Sequence, residues 1–287
     1  MCPKKPTFAL LYDFDKTLCT KDMQEYSFIP DVNMTPEAFW QAANTLAREQ
    51  KMDGILAYMY VMIEQAHIAR KRIRREDFVA MGQDLEFYPG VVEFFPRINR
   101  FAAEHGVVLE HYIISSGLRE IIEGSSIFDC FREVFACEFL YDENEVARWP
   151  KNVVNYTTKT QFLFRINKGV LDLSNDRDLN RYTPEDARPV PFRNMLYIGD
   201  GFTDVPCMKL VRVGGGASIA VYPPGRRKNA EELLRAGRVD FVLPADYRPN
   251  GMLYETVCAL LSKAIAVDAL RRQSAGQLAG LEQELKA

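Results

Sequence analysis

Short apolar blocks alternate with polar stretches along the chain, and their lengths and periods predict the elements. Phe8-Ala9-Leu10-Leu11 is an apolar run that stops abruptly at carboxylates, as a buried parallel strand does when functional groups stand at its C-terminal end. Val107 to Ile114, Val134 to Leu140, Met195 to Ile198 and Ala217 to Tyr222 read as four further strands of this kind. Between the first two strands the period changes. Thr35-Pro36-Glu37 is a helix start, with threonine at the cap and proline at the first helical position. Leu56, Met59, Tyr60, Ile63 and His67 then recur at helical spacing. Tyr88-Pro89-Gly90 reads as a turn, and Val91 to Glu104 as a helix closed by His105-Gly106.

Strands alternating with helical segments predict an α/β fold, a Rossmann-like parallel sheet with helices on both faces. The helical stretch after the first strand predicts an inserted helical cap. The expected division is a core of residues 1–19 and 87–287 with a cap of residues 20–86. Tyr141 to Thr158 has a mixed, hairpin-like pattern. Thr158 reads as the cap of a helix from Lys159 toward Asn167, and residues 172–193 as a polar surface excursion. The tail from Gly251 to Ala287 reads as a helix with Leu270, Leu278, Leu281 and Leu285 as face residues, a packing element or a surface for a homo-oligomer. The sequence shows neither an internal repeat nor a low-complexity segment.

Composition narrows the class. With 287 residues, 47% hydrophobic and 26% charged, the chain has the make-up of a globular protein that needs no staples. A net charge of −3 offers no general attraction to nucleic acid or anionic membrane. The cysteines at 2, 19, 130, 137, 207 and 258 form no C-x-x-C pair, which suits a reduced compartment rather than a zinc ribbon or redox dithiol. No apolar run reaches the ~18 residues of a membrane helix, and early aspartates interrupt any signal-like segment. A cytoplasmic location is the expectation.

The candidate chemistry stands where strands end, the edge at which open parallel sheets bind ligands. Asp13-Phe14-Asp15-Lys16-Thr17 follows the first strand, and two aspartates so close repel each other unless a proton or divalent cation intervenes. Ser115-Ser116-Gly117 ends the second strand with a hydroxyl and exposed amides that suit phosphoryl oxygens. Gly199-Asp200-Gly201-Phe202-Thr203-Asp204 ends the fourth with two more carboxylates on a tight loop. The histidines 67, 105 and 111 are not at metal-ligand spacing and read as helix, cap and strand residues.

In this order, D-x-D-x-T, a serine after a strand, a lysine at a helix start and G-D-G-x-x-D, the motifs resemble the haloacid dehalogenase-like superfamily, from Phe8 to about Tyr222. The helical insertion is similar in placement to the cap of the phosphoserine phosphatase-like branch. The resemblance implies a Mg²⁺-dependent phosphatase acting on a small phosphomonoester through an aspartyl-phosphate intermediate. It implies Asp13 as nucleophile, Asp15 as general acid and base, and Thr17 as an orienting residue. Ser115, Ser116, Gly117 and Lys159 would hold phosphoryl oxygens. The metal would take Asp200, the Asp13 carboxylate and the Asp15 backbone carbonyl, with Asp204 an outer ligand or a support for Lys159.

Lys168 competes with Lys159 for the phosphate-binding role. Lys159 is preferred because it stands at a helix entry, whereas Lys168 precedes a glycine cap. Asp22 occupies the position of the acidic residue that reads the substrate amine in phosphoserine phosphatases, with Glu25 nearby; a shorter Asp and Ser-Ser-Gly instead of Ser-Gly-Gly depart from that group. The basic run Arg70 to Arg75 reads as a solvated connector or as a source of one arginine for a substrate anion. Phe28, Trp40, Tyr58 and Tyr60 are candidates for an apolar pocket or the packing of the helical insertion. A phosphotransferase using the same intermediate, or a phospho-ligand-binding protein without turnover, are the alternative functions.

Overall fold

A computed structural model describes residues 5–284. Seven strands form one sheet in the order β4-β3-β2-β1-β5-β6-β7: β1 (Thr7–Tyr12), β2 (Val108–Leu118), β3 (Glu133–Tyr141), β4 (Ala147–Asn152), β5 (Met195–Gly199), β6 (Ala217–Tyr222) and β7 (Phe241–Pro244). All neighbours pair in parallel except β3 and β4, which are antiparallel. The β1 residues Phe8 to Tyr12 are buried on both faces, which is why this strand reads as an unbroken apolar run rather than as an alternating one. Its neighbours are β2 and β5, so Asp13 leaves the sheet at its centre.

The helices are α1 (Phe28–Asp31), α2 (Pro36–Gln50), α3 (Gly54–Ile68), α4 (Arg75–Met81), α5 (Val91–Glu104), α6 (Arg119–Glu123), α7 (Lys159–Lys168), α8 (Asp176–Asn180), α9 (Val205–Val213), α10 (Arg227–Arg235) and α11 (Met252–Glu284). The first four fall between β1 and α5. Thr35 caps α2 as the sequence predicts, its hydroxyl accepting the Ala38 amide at 3.2 Å. Helix α3 departs from the predicted stripe. It buries Ala57, Tyr58, Met59, Val61, Met62 and Ala66, while Tyr60 faces solvent and donates to Glu64. The helix is apolar nearly all round, so several stripes fit its sequence and packing selects among them.

Four other expectations are sharpened or corrected. The Tyr141–Thr158 stretch resolves into a hairpin, with β4 folding back on β3. Thr158 does not cap α7 with its side chain. It has helical dihedrals, and Asn155 does the capping instead: its side-chain oxygen accepts the Thr158 amide at 3.1 Å and its carbonyl accepts the Lys159 amide at 2.9 Å. The polar excursion carries α8 and is pinned by buried Arg165, whose guanidinium donates to the carbonyls of Asp172 and Leu173 and to Asp176. In α11 the buried residues are Leu253, Val257, Leu261 and Asp268; Leu270, Leu278 and Leu281 are exposed, and Leu285 lies outside the described residues. No helix among the described residues is long and apolar enough to cross a membrane.

Candidate active site

Four loops meet at the C-terminal edge of the sheet. The first continues β1: the Asp13 amide donates to the Ile198 carbonyl at 2.9 Å, extending the β1–β5 ladder by one residue before the chain turns. Lys16 takes the left-handed conformation (φ 56°), and the amides of Thr17, Leu18 and Cys19 fold back on the Phe14 carbonyl. This turn holds the Asp13 and Asp15 carboxylates on one side of the strand end.

The second loop lies inside β2 rather than after it. Regular pairing with β1 stops at Ile113, and the pairing with β3 shifts register between Ile114 and Leu118. Ser115, Ser116 and Gly117 occupy that irregular stretch, which frees their polar groups from the ladder. The Ser115 hydroxyl accepts the Gly117 amide at 3.0 Å. Gly117 is there for want of room: a Cβ would stand 2.9 Å from the Asp15 carboxylate and 2.2 Å from the end of Met23. The first two motifs therefore touch. Asp15 is anchored by the Met23 amide at 2.9 Å, and the Met23 sulfur takes the Leu118 amide.

The third and fourth loops supply the lysine and the remaining acids. Lys159, fully buried at the start of α7, places its ammonium 3.0 Å from Asp13 and 2.7 Å from Asp204. Lys168, at the other end of the helix, donates to the carbonyls of Leu179 and Arg181 and has no part in the site. Asp204 also accepts the Tyr197 hydroxyl at 2.8 Å and the Gly201 amide. A Cβ at Gly199 would lie 2.4 Å from the Asp204 carboxylate, so glycine is required for this close approach.

One buried ammonium does not balance these acids. Burial, then the Asp204 charge, pushes the Asp13 carboxyl up to about 6 even though Lys159 pulls the other way. Burial raises Asp200 well above the usual carboxylate range, with Asp13 and Asp204 adding to it. Asp15 is raised by burial, Asp22 and Asp13. Burial works against the Lys159 charge, but Asp13 and Asp204 outweigh it and hold the ammonium protonated. Ligand oxygens of Asp13, Asp200 and Asp204 lie within 4.8 Å of one another. Asp204 accepts from Lys159, Tyr197 and Gly201, whereas the Asp200 carboxylate takes no hydrogen bond from the described residues. Crowded, under-neutralised oxygen donors of this kind fit a small hard dication such as Mg²⁺.

A family model for haloacid dehalogenase-like hydrolases matches residues 10–209, a span holding all four loops. The chain belongs to this family. An uncharacterized protein of Borreliella burgdorferi is 28% identical over 284 residues, covering 90% of this chain and 97% of that protein. Among solved structures, a substrate-bound phosphoserine phosphatase superposes with a TM-score of 0.54 at 14% identity, over 83% of this chain and 93% of that one. A haloacid dehalogenase family hydrolase from Salmonella enterica serovar Typhi gives 0.55 at 16% identity, over 83% and 68%. At such identities the likeness is one of fold.

At the rim of the hydrolase site the predicted residues are arranged differently. Asp22 forms an ion pair with Lys16 at 2.5 Å instead of standing free, and Glu25 accepts the Trp40 indole at 2.9 Å. Tyr58 donates to the Ser116 carbonyl at 2.6 Å, while Phe28 is buried against Phe39 and Phe78. Three of the five basic side chains of the run are bound to acids: Lys71 to Asp31, Arg74 to Glu76 and Arg75 to Glu123. His111 is buried in β2 between the Tyr12 hydroxyl and Asn99, as a strand residue. Sequence reasoning missed Tyr197, Met23 and Tyr247, whose hydroxyl donates to the Thr17 carbonyl from 230 positions away. Tyr197 had a weak signal, as an inward residue two positions before Gly199; Tyr247 had none.

Proposed function

We propose that this hydrolase is a Mg²⁺-dependent phosphatase that cleaves a small phosphomonoester through an aspartyl phosphate on Asp13. The observation that carries the reading is the buried Lys159 ammonium, shared between Asp13 and Asp204 beside an Asp200 carboxylate with no donor among the described residues. A phosphoryl dianion can approach an anionic nucleophile only where positive charge offsets the repulsion, and phosphoryl transfer depends chiefly on such positioning and electrostatics. Bound Mg²⁺ supplies the charge that lets a phosphoryl oxygen settle beside Asp13.

An Asp13 carboxylate oxygen attacks phosphorus in line as the bond to the ester oxygen breaks. Asp15, kept apart from Asp13 by its bond to the Met23 amide, gives its proton to the departing oxygen. It then takes a proton from the water that attacks the aspartyl phosphate, releasing phosphate and restoring Asp13. Lys159 remains against Asp13 throughout, Tyr197 and Gly201 keep Asp204 from drifting, and the Ser115 hydroxyl, which accepts the Gly117 amide, keeps its own proton to donate to a phosphoryl oxygen. Among proteins of similar fold is a phosphoserine phosphatase solved as a phospho-aspartyl intermediate analogue (TM-score 0.53, 14% identity). In this reading residues 20–86 form a cap that decides the leaving group, and Asp22 recognises a substrate amine only by giving up Lys16.

The experiment is phosphate release from a panel of phosphoserine, nucleotides, sugar phosphates and phosphocholine, with Mg²⁺, with EDTA, and with Asp13→Asn. Turnover that needs Mg²⁺ and disappears in the variant is the expected result. Turnover undiminished in Asp13→Asn would sink the mechanism.

A further inference from the structure

The Tyr88-Pro89-Gly90 turn is stitched to the site from two sides. The Tyr88 amide donates to the Leu18 carbonyl at 2.9 Å, the Thr20 amide to the Glu86 carbonyl at 2.9 Å, and Cys19 bridges Phe87. This ties the turn to the D-x-D-x-T loop. From the other side the Tyr247 amide donates to the Pro89 carbonyl at 2.8 Å, and Tyr247 spans on to the Thr17 carbonyl. Gly90 permits this approach: at φ 81°, a Cβ there would meet the Arg248 amide nitrogen at 2.6 Å. So much restraint fixes the Tyr88 backbone against the D-x-D-x-T loop.

The ring is 5% exposed, and its hydroxyl is buried with no hydrogen-bond partner among the described residues. The Thr17 hydroxyl, on the loop that the turn is stitched to, is also buried and unpaired. Buried hydroxyls are nearly always satisfied, so two such orphans on segments stitched to one acidic loop call for a partner that the described residues do not supply. The charge that the Tyr88 phenol feels most, after burial itself, is that of Asp200; Cys19, Arg226 and Lys16 follow. Burial, Asp200 and Cys19 push it up to about 12 against the opposing pull of Arg226 and Lys16, so near neutral pH it is a donor. Asp200 does not accept from it, although it is the acid best placed to face a cation.

We infer that Tyr88 is a positioning residue, its hydroxyl donating to a water that the cation beside Asp200 carries. The inference rests on the metal-dependent reading above. Tyr88 thereby restrains the hydration of that cation, as outer partners of metal sites do.

The test is Tyr88→Phe, which removes only the oxygen. Without Mg²⁺, its melting temperature equals or exceeds that of the wild type, because the hydroxyl has no internal partner to lose. Titration calorimetry with Mg²⁺ alone gives a Kd about tenfold weaker. A lowered melting temperature of the metal-free variant overturns the inference, since the oxygen then has a protein partner. Unchanged Mg²⁺ affinity also overturns it; if affinity for inorganic phosphate falls instead, the hydroxyl meets the phosphoryl group. Tyr247→Phe is the contrast: it breaks a real hydrogen bond and lowers the metal-free melting temperature. A wild type that binds no Mg²⁺ overturns this inference together with the metal-dependent reading. Turnover surviving in Asp13→Asn sinks that reading alone, because the calorimetric arm does not depend on it.

Discussion

Charged side chains at the C-terminal edge of the sheet and those on the rim made by the inserted helices both form ion pairs, but the two sets differ in what surrounds them. At the edge, Asp13, Lys159 and Asp204 have side chains that are at most 8% exposed, and only each other and a few dipoles to neutralise them. On the rim, Lys16 and Asp22 are 37% and 24% exposed, and water shares the work of solvation. Ion pairs of the second kind are worth little. Those of the first kind are costly to break, because the partner left behind stays buried and charged. A protein retains an imbalance of buried acids such as Asp13, Asp200 and Asp204 where a ligand completes it.

The sharpest way to break the comparison uses the two lysines of α7. Lys159→Met leaves Asp13 and Asp204 facing each other without their cation. The expected cost is ~3–5 kcal/mol in unfolding free energy and a fall of about 10²–10³ in kcat with the preferred substrate. Lys168→Met removes only two contacts to carbonyls at a partly exposed helix end, with an expected change within about 1 kcal/mol and kcat unaltered. Urea unfolding and steady-state kinetics on both variants check this; equal losses would mean that Lys159 is ordinary packing.

That pair also shows what the sequence makes legible. Both lysines stand in one ten-residue helix, and the choice between them follows from local signals: a helix entry at one end, a glycine stop at the other. The strand-end motifs are legible for the same reason, since strand, turn and acid lie within a few residues. Tyr247 is not, because its partner Thr17 is brought near only by the whole sheet. Nor is the true cap of α7 obvious, since Asn155 and Thr158 are both good cap residues and the backbone decides between them. The exposed Leu270, Leu278 and Leu281 mislead for another reason. Helical periodicity predicts a face but not where the core beneath it ends. β7 was missed altogether: as short as the run from Met195 to Ile198, it has no motif at its end to mark it.

A smaller effect separates two glycines of one motif. At Gly199 a methyl group would lie 2.4 Å from the Asp204 carboxylate, within the crowded edge. Gly199→Ala must displace Asp204 and with it Lys159, at an expected ~1–3 kcal/mol, with lowered kcat. At Gly201 nothing lies within 4 Å of the added carbon, and the backbone there is extended. Gly201→Ala should therefore change stability by less than ~0.5 kcal/mol. Thermal unfolding of the two proteins side by side measures the difference. If Gly201→Ala is the more damaging, the motif is conformational and the close approach to Asp204 is incidental.

The smallest effect belongs to the rim. Asp22→Asn breaks the ion pair with Lys16, but both side chains keep access to water and the pair spans only six residues. The expected loss is at most about 1 kcal/mol, or ~2–4 °C in melting temperature for a chain of this size. Freed from Asp22, Lys16 still feels Asp200 and Asp15, so the ammonium stays near the site and the turn at φ 56° keeps its shape. Turnover of a phosphomonoester with a neutral leaving group should then change less than about threefold, because a screened rim charge contributes well under 1 kcal/mol to such a substrate. An amine-bearing substrate should lose more than a neutral one, and the ratio of the two kcat/KM values isolates recognition from folding. Should the neutral substrate suffer as badly as with Lys159→Met, Asp22 would belong with the buried edge, and exposure would be the wrong criterion for dividing the two regions.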